Sequence, residues 1–158
     1  MTDPTTLADG QARALGVDLF NGARQLLRRT DRTVDEDDAM LHMAHASRHH
    51  WAQVGTEANL ARGEWLCSRV YAALGRGEPA THHAQRVLDI CARAGIADWD
   101  LAFAFEALAR AAAVSGDPAT ARAYTERALE AAQQIAEDDD RELLLSDLET
   151  IPGQQRFW

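Results

Sequence analysis

Apolar residues return along this chain at helical intervals and nowhere alternate at period two over a sustained stretch, so helices are predicted and no strand is assigned. Leu15, Leu19, Leu26 and Leu27 share a stripe within a first helix, Gln11 to Arg29. A second runs from about Asp35 to Val54, its first turn loaded with Asp35, Glu36, Asp37 and Asp38, where a helix N-terminus favours negative charge. The third covers Glu57 to Leu74, before Gly75-Arg76-Gly77; the fourth opens at Glu78-Pro79 and closes at Gly95. Asp98 caps a fifth that ends at Gly116, Asp117-Pro118 starts a sixth that reaches about Glu137, and Asp138 to Thr150 makes a shorter seventh. Ile151-Pro152-Gly153 stops it and leaves a tail ending Phe157-Trp158.

The pattern repeats itself. Leu19, Leu60 and Leu101 recur at an interval of 41 residues, as do Arg28, Arg69 and Arg110, and Ala39, Ala80 and Ala121. A period of that length predicts hairpins that cannot bury their apolar faces alone and therefore stack. The expected architecture is all-α: a single domain of three antiparallel helix-turn-helix units, about 11–55, 56–95 and 98–137, with a capping helix over 138–151 and a tail over 152–158.

Within the second unit, Cys67-Ser68 and Tyr71, then Gly75, Ala80 and Ala84, fall where the tetratricopeptide repeat places its Leu-Gly-x-x-Tyr, its turn glycine and its second-helix alanine motif. The third unit offers Leu108-Ala109, Gly116-Asp117, Ala121 and Ala128-Leu129. The chain resembles that family over Leu19 to Glu137. It departs from it in period, 41 residues against about 34, in having Ala112 opposite Tyr71, and in lacking the closing proline at Trp51, Ala92 and Gln133. The resemblance implies a short superhelix whose first helices line a concave groove that holds a peptide.

Positions i, i+3 and i+7 of a helix share a face. In the first helices of the three units they carry Asn21, Arg24 and Arg28; Arg62, Trp65 and Arg69; and Phe103, Glu106 and Arg110. Stacked, these rows make an arginine ladder flanked by aromatics, suited to an acidic peptide, a free C-terminus or an anionic small molecule, because guanidinium groups bind carboxylates bidentately and stack on rings. Ordinary solvated or paired arginines, such as Glu106 with Arg110, are the competing account.

Histidine supplies the second chemistry. His42, His45 and His49 follow Asp38 along one arc of the second helix and could ligate zinc, copper or iron, although one straight helix rarely provides three ligands. His83 lies with Ala80, Val87, Ile90 and Ala94 on the buried side of the fourth helix, where a pairing with Glu64 is either a core contact or a general acid/base dyad. Trp51 and Trp99 are read as rings buried at hairpin junctions.

Composition narrows the options. There is no lysine, so every one of the 16 basic residues is arginine, which removes Schiff-base chemistry and a phosphate-loop lysine. A formal net charge of −9 opposes general affinity for nucleic acid or an anionic membrane. No apolar run is membrane-length and the first residues lack a secretion-signal pattern, so a cytoplasmic location is expected. Cys67 and Cys91 read as buried thiols, and the alanine excess resembles coding by a GC-rich bacterial genome.

The leading expectation is a protein-interaction or ligand-binding module with no cofactor, using Arg28, Arg62, Trp65, Arg69, Phe103, Glu106 and Arg110 on a protein, a peptide or an anion. A small metal-dependent or acid/base enzyme, and a structural protein that self-associates, for instance as a homodimer through Phe157 and Trp158, are the alternatives.

Overall fold

Two helix starts are fixed by reciprocal bonds that the sequence encodes locally. Thr33 Oγ1 accepts from the Glu36 N–H at 3.2 Å while Glu36 Oε2 accepts from the Thr33 N–H at 2.8 Å. Thr56 and Asn59 make the same exchange, at 3.4 and 3.0 Å. Asp117 accepts from the Thr120 N–H at 3.0 Å, with Pro118 in the first turn.

The computed structural model describes residues 7–158. They form α1 (Asp9–Leu27), α2 (Val34–Val54), α3 (Glu57–Ala73), α4 (Gly77–Ala94), α5 (Asp98–Val114), α6 (Pro118–Ala132) and α7 (Asp138–Glu149), with no strand among them. Among the described residues no helix is long and apolar enough to cross a membrane.

Neighbouring helices pack as hairpins, α1 on α2, α3 on α4 and α5 on α6, and α2 and α4 also touch the hairpin that follows. The odd-numbered helices meet one another in turn: α1 with α3, α3 with α5, and α5 with α7. One side of the molecule is thus built from α1, α3, α5 and α7.

Helix α5 sits deepest, every residue from Ala102 to Ala112 being buried. Its alanines allow α3, α4 and α6 to approach, and Phe105, Leu108, Ile135, Leu144 and Leu148 fill the resulting core. A smaller core of Ala23, Met40, Ala44, Leu66 and Val70 joins the first two hairpins.

The turns at the ends of α3 and α5 have the same construction. Gly75 and Gly116 adopt φ of 73° and 78°, and the N–H groups of Arg76 and Asp117 reach back to the carbonyls of Tyr71 and Ala112, both at 2.9 Å. Only glycine enters that conformation without strain.

Three details differ from the sequence expectation. Helix α6 ends at Ala132, because the Gln133-Gln134 turn carries Ile135 back into the core and leaves Glu137 outside the helix. Asp98 is not a conventional cap: it has φ 58°, accepts from the next N–H at 2.7 Å and ties down the Ala136 N–H at 3.3 Å. Ala94 is exposed, and Cys91 takes its place on the buried face of α4.

The tail folds onto its own chain. Gln154 Oε1 accepts from Thr125 Oγ1 at 2.9 Å, Arg122 lies 4.0 Å above the Phe157 ring, and Trp158 packs against the large core.

Candidate functional site

Each of the four helices on that side turns one face inward: Phe20, Arg24 and Leu27 of α1, with Arg28 just after it; Ala61, Arg62, Trp65 and Arg69 of α3; Trp99, Asp100 and Phe103 of α5; Asp140, Leu143 and Asp147 of α7. Apart from the neighbours Leu27/Arg28, Ala61/Arg62 and Trp99/Asp100, successive members are three or four residues apart, so each set follows one side of its helix. Together they enclose a cavity of about 450 Å³, within the range of small-molecule pockets. A shallower depression of about 210 Å³ continues from Phe20 and Arg62 towards Val17 and Trp51.

Aromatic rings form the floor. Trp65 and Trp99 each meet Phe103 edge-on, with centroids 6.0 and 6.1 Å apart. Guanidinium groups lie over two of these rings, Arg62 at 4.5 Å from the Trp99 centroid and Arg69 at 5.7 Å from that of Trp65.

The arginines differ in how far they are already satisfied. Arg62 donates Nε and Nη2 to the two oxygens of Asp100, both at 3.2 Å, and Asp100 is buried. Arg69 Nη1 donates to Glu106 Oε1 at 3.1 Å and lies 3.5 Å from Asp147 Oδ2. Arg24 and Arg28 make no ion pair among the described residues. Loss of hydration, with Arg28 and Arg69 close by, holds Arg24 below the usual guanidinium range, against the pull of Asp147. Burial pushes the Asp147 carboxyl up, Glu106 adding to this and Arg69 opposing it.

Of the residues singled out from the sequence, Arg28, Arg62, Trp65, Arg69 and Phe103 line this cavity. Glu106 and Arg110 lie behind it. Glu106 is fully buried, and Arg110 donates to its Oε1 from Nε and Nη2 at 2.8 and 2.6 Å. Arg110 also donates to the Asp147 carbonyl at 2.8 Å and to the Thr150 carbonyl at 3.2 Å, so it anchors the C-terminal end of α7. Glu106 Oε2 and the Trp65 indole N–H are buried without a partner.

The chain matches no protein-family model, no curated protein and no solved structure.

Sequence reasoning missed the wall formed by α7. Asp140, Leu143 and Asp147 were readable as a stripe of i, i+3 and i+7, but nothing local says that α7 folds back beside α5. Phe20 and Leu27 could have been added to Arg24 from their spacing. Trp99 is half-buried at the start of α5, as a junction tryptophan, and also presents its ring to Arg62.

A second polar cluster lies between α2, α3 and α4. Glu64, 3% exposed, accepts from His83 Nδ1 at 2.6 Å and from the Nε atoms of Arg48 and Arg86 at 3.0 Å each. Burial would raise its carboxyl, but the bonds from His83, Arg86 and Arg48 outweigh this and bring it down to about 2. His83 stacks on Tyr71 with ring centroids 5.5 Å apart and planes at 8°. His45 Nε2 is 2.9 Å from the Tyr71 hydroxyl and its Nδ1 is 3.8 Å from Cys67 Sγ. Burial holds the His45 imidazole below its ordinary range, with His83 acting the same way. The cluster thus knits three helices together, with its carboxylate fully engaged.

The histidine arc of α2 does not face one direction into solvent, because α2 is packed between α1 and α3. His42 and His49 are exposed, whereas His45 turns inward to Tyr71. Among the described residues no group of three or more His, Cys, Asp or Glu could hold a metal ion. Both cysteines are buried and unpaired.

Proposed function

We propose that this chain is a TPR-like helical-repeat module that binds a ligand on the side formed by its odd-numbered helices, and that it acts by binding and not by catalysis. The observation that carries the reading is the convergence of Arg28, Arg62 and Arg69 with Trp65 and Phe103 in one cavity, drawn from three helices that follow one another at 41-residue intervals. Aromatic surface provides most of the attraction for an apolar body, and guanidinium groups provide charge recognition with defined geometry. The ligand is a peptide or a small anionic molecule. The recurring turns at Gly75 and Gly116 and the hairpin packing support the repeat assignment. The acidic balance of −9 supports a partner that is neither nucleic acid nor membrane, and a cytoplasmic setting suits the two free thiols.

The test is native mass spectrometry of tag-free protein and of its Arg28→Glu and Trp65→Ala variants. A stoichiometric adduct on the parent protein that both variants lose is the expected result. An adduct retained by both would place the ligand elsewhere and overturn the reading.

A further inference from the structure

The cavity has an electrical polarity that its own ion pairs do not cancel. On the α1 wall, Arg24 and Arg28 stand one turn apart, both without a carboxylate partner among the described residues. On the α7 wall stand Asp140, in no ion pair among the described residues, and Asp147, which lies 3.5 Å from Arg69. Helices α1 and α7 do not pack against each other, so the cavity is what separates these two walls. The other two arginines have their carboxylates in place, Arg62 with Asp100 and Arg69 with Glu106. Among the described residues, the cavity guanidiniums that have no carboxylate paired to them are therefore those on the α1 side, and a second negative charge towards α7 would meet carboxylates.

Between the walls, aromatic rings lie beside the paired Arg62 and Arg69. Trp65, Trp99 and Phe103 form the floor, Phe20 adds a ring from the α1 side, and Leu143, 51% exposed, stands at the rim. Exposure of so large an aliphatic side chain beside a cavity is relieved when an apolar body covers it. The volume, about 450 Å³, fits a small molecule enclosed on several sides.

Resting on the ligand-binding reading above, we propose that the occupant is a small monoanionic amphiphile: one carboxylate-like or sulfonate-like head group held by Arg24 and Arg28, and an uncharged aryl or alkyl body laid across Phe20, Trp65, Phe103 and Leu143 towards α7. Two adjacent guanidiniums suit a head group that presents two or three oxygens. The acidic wall sets the direction in which the molecule enters and rejects dianions.

The test uses two fluorogenic probes with the same body, 8-anilinonaphthalene-1-sulfonate and its uncharged counterpart N-phenyl-1-naphthylamine, titrated into folded protein. The sulfonate is expected to bind at one site about tenfold or more tightly than the neutral dye. Arg24→Ala with Arg28→Ala brings it to the level of the neutral dye, whose own affinity does not change, and Asp140→Asn tightens it. Equal affinity of the two dyes for the parent protein, or a sulfonate affinity unmoved in the double arginine variant, overturns the anionic head group while leaving a binding pocket. Failure of both dyes to bind, or binding indifferent to Leu143→Trp, which fills the rim, overturns the ligand-binding reading itself. Decanoate is expected to displace the sulfonate dye; a blocked peptide with a free C-terminal carboxylate that displaces it better would make the occupant a chain end and overturn the small amphiphile.

Discussion

Arg69 and Arg110, 41 residues apart, donate to the same oxygen: Glu106 Oε1 accepts from Arg69 Nη1 at 3.1 Å and from Arg110 Nη2 at 2.6 Å. The two side chains nevertheless have different duties. Arg69 reaches the cavity, whereas Arg110 is nine-tenths buried and bonds to carbonyls at the end of α7.

Arg110→Ala removes two of the three hydrogen bonds on a fully buried carboxylate and releases the end of α7. Breaking a buried pair from one side costs about 3–5 kcal/mol. Urea unfolding is expected to register that loss, with fast amide exchange over 138–149. Arg28→Ala, at an exposed and unpaired position, is expected to stay within about 0.5 kcal/mol of the parent. A mild Arg110→Ala with α7 still protected would show that the helix is held by its leucines alone.

The Glu64 cluster makes stability depend on acid. Its carboxyl is held down to about 2 in the folded chain against an ordinary 4.5, so the unfolded state binds the proton first. The contribution is complete above pH 4.5 and fades as pH falls towards 2. Its size is roughly 3 kcal/mol. Glu64→Gln should be destabilised at neutral pH and have a flatter stability profile between those limits; parallel profiles for the two proteins would remove Glu64 from the acid response.

A methyl group at Gly77 would collide with Ser115 Oγ and sit 3.0 Å from Ser115 Cα, because the turns that follow α3 and α5 meet there. Gly77→Ala must move those turns apart, at a cost of about 1–3 kcal/mol that exceeds the gain in helix propensity. Adding Ser115→Gly should recover part of the loss. Thermal melts of the single and double variants decide this: additive effects would mean the two sites do not touch.

Burial pushes the Cys67 thiol up to about 12, with Glu64 adding to the shift, and pushes Cys91 up to about 11, with Asp100 adding. Thiolate is therefore scarce at pH 8. Ellman's reagent should modify neither cysteine in folded protein and both in urea. Prompt labelling in the native state would contradict the packing around Cys67 with α2 or around Cys91 between α3, α4 and α5.

Most element boundaries were legible because their causes are local: the acidic run Asp35 to Asp38, Pro118 after Asp117, and glycines at Gly75, Gly95 and Gly116 are adjacent to what they terminate or start. The exception is instructive. Helix α6 stops at Ala132 because Ile135 has a distant core to enter, a gain the periodicity around Gln133 does not contain.

Seven helices, their order, the 41-residue recurrence and the stripes that carry Arg28, Arg62, Trp65, Arg69 and Phe103 can be read without coordinates, since all of these follow from spacing along one chain. Which guanidiniums are left without a carboxylate depends on how the helices come together. Arg110 and Arg28 occupy matching places in the repeat, yet one is consumed by Glu106 and the end of α7 while the other faces the cavity. That difference depends on α7 folding beside α5, a contact between segments about forty residues apart that is set by burial of Leu144 and Leu148 and by no local signal.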